Sequence, residues 1–360
     1  MIGVVVLGMH RSGTSAVTRA VNLLGAALGD VRDRMPPRED NPSGFWESAS
    51  LTALNDELLE ALDAQWSAPV SPRALREGLA RLSCFRERAG EALRAVFPAP
   101  RSVWKDPRLS ITLPFWLPLL EPAPVFILTH RNPLEIAASL AVRNGFSKAL
   151  SLALWERYVR SALEHVQGRA AFVVRFTDLL EDRARCLAEL RSFLVRHDAA
   201  AGLDASVEES AGDIDPRLRH HVRAAASFAN DHDASPEQKD LHGVLERIAG
   251  SHDRLGVPRP PGETPWATEI IEERRRRLRQ ERLGAADAEA ERGRSDRLQQ
   301  QLDDLRRCSA EEVRRLSTLI GERDDLIAEQ EARLRRLRQG LPGRLARWIL
   351  ASHVRRRHSG

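Results

Sequence analysis

The sequence predicts an α/β fold in three layers, a central parallel sheet between helices, followed by a long C-terminal helix or coiled coil. Three observations carry this. The chain opens with an apolar run, residues 2–7, that includes three consecutive valines, the pattern of a parallel strand buried on both faces. Further strand-like runs at 102–104, 124–130 and 171–176 alternate with helical patterns, as in successive βαβ units. Beyond residue 267 strand candidates stop, and Arg, Glu, Leu, Gln and Ala dominate.

Composition bounds the function. At 360 residues the chain has room for more than one unit, and 42% hydrophobic residues support a packed core. The net charge of +4 is modest, but 55 basic and 51 acidic residues make the chain charge-dense, with basic runs at 274–277 and 355–357. No nucleic-acid partner is expected. Cys84, Cys186 and Cys308 are widely spaced, which excludes a disulfide framework, fits a reducing cytoplasm and supplies no zinc motif. The opening run is too short for a secretory signal and has no basic leader. The most apolar later stretch, 111–128, contains Pro114, Pro118, Glu121, Pro122 and Pro124, so it reads as core and not as a membrane span.

After the first strand comes a turn with Gly8 and Gly13, then Ala16, Val17, Ala20, Val21 and Leu24 at helical spacing, with Gly25 as a stop. Strand, glycine turn and helix aim backbone N–H groups and a helix N-terminus at a phosphate, so the fold is of P-loop type. The turn departs from the triphosphate-binding pattern G-x-x-x-x-G-K-[ST]. Gly8 and Gly13 keep the spacing, but Thr14 stands where the lysine belongs, Ser15 follows, and Arg11 carries the positive charge inside the loop. A loop without that lysine lacks its usual contact with the β- and γ-phosphates and suits a single 5′-phosphate.

Arg11-Ser12-Gly13-Thr14-Ser15 resembles the 5′-phosphosulfate loop of sulfotransferases that use 3′-phosphoadenosine-5′-phosphosulfate (PAPS). The resemblance implies a bacterial sulfotransferase domain over residues 1–255, with PAPS as co-substrate, no required metal, and an acceptor hydroxyl, on family habit that of a saccharide or glycoconjugate.

The rest of the chain extends the resemblance. Residues 26–47 form a polar loop ending Asn41-Pro42-Ser43-Gly44-Phe45-Trp46-Glu47. Bacterial sulfotransferases carry a similar run, and in several branches a glutamate from this region is the base, so Glu47 is the candidate base. Its other reading is a helix N-terminal carboxylate, because 48–62 is helix-like. Phe45 and Trp46 either line a pocket or pin the loop to the core. Residues 72–97 read as one amphipathic helix or a pair. The strand 102–104 leads into Lys105-Asp106-Pro107-Arg108, and residues past a strand's C-terminal end face the ligand crevice of a doubly wound sheet. This K-D-P run is similar to one in tyrosylprotein sulfotransferases, whose lysine stabilises the transition state. The cytosolic small-molecule branch has K-x-H with a catalytic histidine; Pro107 stands at that position here, which moves the role of base to Glu47. Asp106 reads as an orienting group.

After strand 124–130, Arg131-Asn132-Pro133 opens a helix on which Ser139 and Arg143 share one face. Arg131, Ser139 and Arg143 make a compact anion clamp and match the R-x7-S site for the 3′-phosphate in the family. Residues 146–166 read as a long helix. Arg175-Phe176-Thr177-Asp178-Leu179-Leu180 resembles the family's R-[YF]-x-D-L-L run, with Asp178 read as a helix cap. Residues 183–196 and 234–249 are further helices. Arg217 and Arg219 stand where family members close a basic loop over the nucleotide, and His220 and His221 have no partner ligands spaced for a metal.

Residues 256–267, proline- and glycine-rich, read as a linker. Within 268–341, Leu298, Leu302 and Leu305, then Val313, Leu316, Ile320, Ile327, Leu334, Leu337 and Leu341 follow a coiled-coil repeat with a stutter near Ser309 and weak seam positions at Arg323 and Gln330. A coiled-coil homo-oligomer is one expectation, a single charged helix the other. The tail, 342–360, combines Leu345, Trp348 and Ile349 with arginines, which suits either contact with the inner face of a membrane or a basic end.

On this reading Ser12 to Ser15 hold the 5′-phosphate, Arg131, Ser139, Arg143, Arg217 and Arg219 hold the remainder of the nucleotide, and Arg11, Lys105 and Glu47 act on the transferring group. The alternatives are a P-loop kinase and a non-catalytic nucleotide-binding head on a coiled-coil scaffold.

Overall fold

The computed structural model describes residues 2–36, 45–199, 227–257, 262–339, 343 and 348. Its centre is strand β1 (Ile2–Leu7), in which Val4, Val5, Val6 and Leu7 have no exposed surface. β1 pairs in parallel with β2 (Ser102–Lys105) on one side and β3 (Val125–His130) on the other. β4 (Ala171–Arg175) continues the parallel sheet beside β3. The order is β2-β1-β3-β4-β5, and β5 (Gly250–His252) runs antiparallel to β4. The expected parallel central sheet holds for β1 to β4, and β5 adds an antiparallel edge. β5 is Gly-Ser-His, with no apolar signal to read, and the chain is returned to β4 by paired backbone bonds, Gly168 N to Leu255 O and Leu255 N to Arg169 O, both 2.8 Å.

Alternate β1 side chains enter two separate cores, which gives the three layers. Val4 and Val6 pack with Ile127, Phe172 and Val174 under α1 (Thr14–Leu23) and α9 (Arg183–Arg196). Val5 and Leu7 join Trp104, Phe126 and Leu128 beneath α2 (Ala49–Glu60), α3 (Pro72–Gly78), α4 (Arg86–Val96), α5 (Leu109–Trp116), α7 (Lys148–Val166) and α10 (Pro236–Arg247). α6 (Pro133–Asn144) follows β3 directly, with Asn132 accepting from Leu134 N at 3.0 Å as its cap and Pro133 in its first turn. α8 (Phe176–Glu181) follows β4. Its cap position is Arg175, so Asp178 is not the cap; it sits in the first turn, where a carboxylate faces the positive end of the helix dipole.

The final described helix, α11, spans Pro265–Gln339. Contacts divide the chain into Met1–Gln280 and Glu281–Gly360. In the first unit Thr264 is 1% exposed and is held by Ser235 Oγ at 2.7 Å and Glu156 Oε1 at 2.9 Å, and Ala267 and Ile271 are buried in the core. In the second unit Leu298, Leu302, Leu305, Val313, Leu316, Ile320, Ile327, Leu334 and Leu337 are exposed. No described helix is long and apolar enough to cross a membrane. Apart from Trp348, the tail segment 345–357 lies outside the described residues.

Candidate functional site

The turn after β1 is held open by its backbone. Gly8, Arg11 and Gly13 have φ of 153°, 69° and 95°, in the region that favours glycine. At Gly13 a Cβ would lie 2.3 Å from Phe176 Cδ2, so a side chain is excluded twice over. Arg11 is not a glycine, and its left-handed conformation costs of order 1–3 kcal/mol. It is fixed by a bond from Ser12 N to Met9 O at 3.1 Å and by Arg131 Nη1 donating to Arg11 O at 3.0 Å. Ser110, from α5, accepts from Gly8 N at 2.9 Å and donates to Gly8 O at 3.2 Å. Ser12 Oγ is buried and has no hydrogen-bond partner among the described residues.

Lys105, the last residue of β2, reaches into this turn. Its Nζ donates to Glu47 Oε1 at 2.7 Å, Phe45 O at 2.8 Å and Ser15 Oγ at 3.1 Å. Both charged side chains are buried, Lys105 at 2% and Glu47 at 7% exposure. Burial raises the Glu47 pKa; Lys105 is the largest opposing influence, and Asp106 adds to the rise. Ser48 caps α2 through Leu51 N, so the Glu47 carboxylate is not spent on that helix end. Asp106 accepts from Asn55 Nδ2 at 3.0 Å and from Arg108 N at 2.9 Å. It therefore orients the turn after β2 and joins it to α2; no bond to Lys105 is involved.

The clamp after β3 adjoins the same turn. Arg11 Nε donates to Ser139 Oγ at 2.8 Å. Arg131, 8% exposed, pairs with buried Glu135 at 2.9 Å and lies 4.8 Å above the Phe176 ring. Phe176 thus packs on Gly13 and carries Arg131, a role for the aromatic position of the R-F-x-D-L-L run. Arg143 is exposed, with its guanidinium 5.7 Å from the Phe45 ring. Phe45 is buried and pins the loop, while Trp46 adopts φ 60° and lies 5.7 Å from each of Arg19 and Arg34. Thr14 is buried at the start of α1. Arg11, Arg131 and Ser139 are therefore joined by direct hydrogen bonds, and Lys105, Glu47 and Ser15 by a second set that also includes Phe45 O, while Arg143 lies beside the Phe45 ring. Arg217, Arg219, His220 and His221 lie outside the described residues.

Sequence reasoning missed two features. His10, inside the turn, lies 4.6 Å from the Trp66 ring and 5.8 Å from Tyr158. Burial lowers its pKa well below the ordinary range, and Arg108, Lys105, Arg143 and Arg11 add to this. It stays neutral among cations at neutral pH. Arg108 braces the back of the site with paired bonds to Asp56 at 2.6 and 3.1 Å. His10 directly precedes Arg11 in the turn, a local signal, whereas Asn55 and Asp56, on α2, carry none.

Neither a protein-family profile nor a curated protein matches this chain. Among solved structures the chain is similar to the sulfotransferase domain from the Synechococcus PCC 7002 olefin synthase, at 13% identity over 76% of this chain and 94% of that one, with a TM-score of 0.38. It is also similar to the sulfotransferase domain from the curacin biosynthetic pathway, at 13% identity over 76% of this chain and 97% of that one, with a TM-score of 0.31.

Proposed function

We propose that this chain transfers a sulfuryl group from PAPS to an acceptor hydroxyl. The observation that carries the reading is the junction of the two anion-binding segments: Arg11 Nε on Ser139 Oγ at 2.8 Å and Arg131 Nη1 on Arg11 O at 3.0 Å. A donor with a phosphate at each end of its ribose needs two adjoining anion sites; a simple triphosphate loop needs one. The backbone N–H groups from Ser12 to Ser15 and the hydroxyls of Ser12, Thr14 and Ser15 suit the 5′-phosphate. Arg131 and Ser139, with Arg143 at the rim, suit the 3′-phosphate.

In the reaction the acceptor oxygen forms a bond to sulfur while the bond from sulfur to the 5′-phosphate oxygen breaks, releasing adenosine 3′,5′-bisphosphate. Glu47 takes the acceptor proton. Lys105 and Arg11 neutralise charge developing on the leaving oxygen, the same electrostatic work done in phosphoryl transfer. The Lys105–Glu47 pair supports this assignment: the Lys105 side chain opposes the rise that burial gives the Glu47 carboxyl and holds it at the turn until substrate arrives. Acceptor entry would free the carboxylate and turn the ammonium to the leaving oxygen. The acceptor we favour is a saccharide or glycoconjugate hydroxyl.

The test is isothermal titration of the full chain with adenosine 3′,5′-bisphosphate, followed by transfer of label from radiolabelled PAPS across a panel of saccharide, lipid and small-molecule acceptors. Binding of the bisphosphate with label transfer is expected. Absent affinity would overturn the reading. ATP turnover requiring Mg²⁺ would favour a kinase, and binding without any transfer a nucleotide-binding head.

A further inference from the structure

We propose that His130, His242 and Glu246 form a site for a divalent transition metal, zinc by its donor chemistry, which fastens α10 to the end of β3. His130 is the last residue of β3, and His242 and Glu246 lie one turn apart on α10. One ligand atom from each lies within 4.8 Å of the other two. His130 Nε2 is 2.6 Å from Glu246 Oε1, and His242 Nε2 is 3.8 Å from the same oxygen. Tetrahedral zinc with nitrogen and oxygen ligands at about 2.0–2.2 Å sets those ligands roughly 3.3–3.6 Å apart. The two separations to Glu246 Oε1 lie on either side of that range, and all three ligand atoms are within 4.8 Å of one another, so closing the site takes side-chain adjustment and no new backbone path.

The surroundings favour a metal over a bare ion pair. A pair between His130 and Glu246 leaves His242 Nε2 at 3.8 Å, beyond a hydrogen bond; a shared metal uses all three groups. Arg175 Nε donates to Glu246 Oε2 at 2.8 Å, which orients the carboxylate from its second oxygen and leaves Oε1 as a single ligand. Two imidazole nitrogens and one carboxylate oxygen suit borderline-soft zinc better than a hard cation that needs several oxygen ligands. The rings are held by packing: His130 lies 4.9 Å from His242, which lies 5.2 Å from Phe228. His130 and His242 side chains are 2% and 11% exposed and Glu246 is 40% exposed, so entry is from the carboxylate side, where water fills the fourth position. The site stands apart from sulfuryl transfer and does not depend on it, although His130 immediately precedes Arg131 in the chain.

The experiment uses the full chain, freed of metal by a chelator. Titration with Co²⁺ should give the visible absorption of a four-coordinate site, saturating at one equivalent. Zn²⁺ at a hundredfold excess over its Kd should raise the melting temperature by roughly 5–10 °C. His242→Ala and Glu246→Gln should each lose both the absorption and the shift while keeping the wild-type circular dichroism without metal. His242→Asn serves if the alanine variant does not fold. A wild-type chain that gives no such absorption overturns the proposal, as does an absorption unchanged in the His242 and Glu246 variants.

Discussion

Replacing Lys105 by methionine keeps most of the side-chain volume and removes the ammonium that contacts Glu47, Phe45 and Ser15. Removing one member of a buried ion pair costs about 3–5 kcal/mol, because the remaining charge is stranded. Glu47 has an escape, since it can take up a proton. Burial raises its pKa, and Lys105 is the strongest influence holding it down. Without Lys105 the folded-state value rises further above the unfolded one. Protonated Glu47 is then fully tolerated below the unfolded pKa of about 4.3. Stability falls as pH rises towards the folded value, by up to about 1.4 kcal/mol per pH unit. Relative to wild type, Lys105→Met should therefore lose least near pH 5 and about 3–5 kcal/mol near pH 8. Urea denaturation of wild type, Lys105→Met, Glu47→Gln and the double variant at both pH values measures this. The double variant buries no charge at this position and should recover most of the pH 8 loss. A loss of equal size at both pH values, or a double variant as unstable as Lys105→Met at pH 8, refutes the reasoning.

Other outcomes follow from the same geometry. Glu47→Gln should keep a hydrogen bond to Lys105 but lower kcat by about 10²–10⁴, the usual contribution of a general base; a variant with full turnover of radiolabelled PAPS removes Glu47 from that role. Ser139→Ala should weaken adenosine 3′,5′-bisphosphate by roughly 10–100-fold, the worth of a hydrogen bond to a charged group, and leave adenosine 5′-phosphosulfate nearly unchanged. Equal losses for both nucleotides in calorimetry would place the 3′-phosphate elsewhere. A chain ending at Gln280 should keep the melting transition of the first unit seen in the full chain, whereas one ending at Ala267 lacks buried Ile271 and the Arg274 contact with Phe146. Its melting temperature should fall by about 4–10 °C, taking about 1.5–3 kcal/mol for the buried side chain; equal melting temperatures would contradict the packing. In sedimentation, the full chain should self-associate and the chain ending at Gln280 should not, because the exposed leucine and isoleucine row lies beyond that point.

The legible parts of this molecule were those whose signal is local. Val4, Val5 and Val6 mark a buried strand without help, and Gly8 and Gly13 mark a turn whose φ values require them. Ser139 follows Arg131 at a fixed interval, so the clamp could be read as a unit. What escaped depends on contacts across the chain. Glu47 and Lys105 were each given a role, but 58 residues separate them and nothing local joins them. Asn55 links Asp106, Thr112 and Trp116 from the middle of an ordinary amphipathic helix. α5 was hidden by Pro114, which the helix contains although proline usually marks a break. That Phe176 carries Arg131 comes from packing two elements against each other.

The treatment of the sheet's outermost strands has a bearing on assembly. On one flank, Ala27 bridges Ser102 and accepts from Val103 N at 2.8 Å, so β2 offers little free ladder. On the other, the short Gly250–His252 segment covers β4 and ends after three residues. Among the described residues neither border presents a long apolar template to a second chain. High local concentration of this chain should therefore not let the valine-rich interior seed fibrils by strand-to-strand growth.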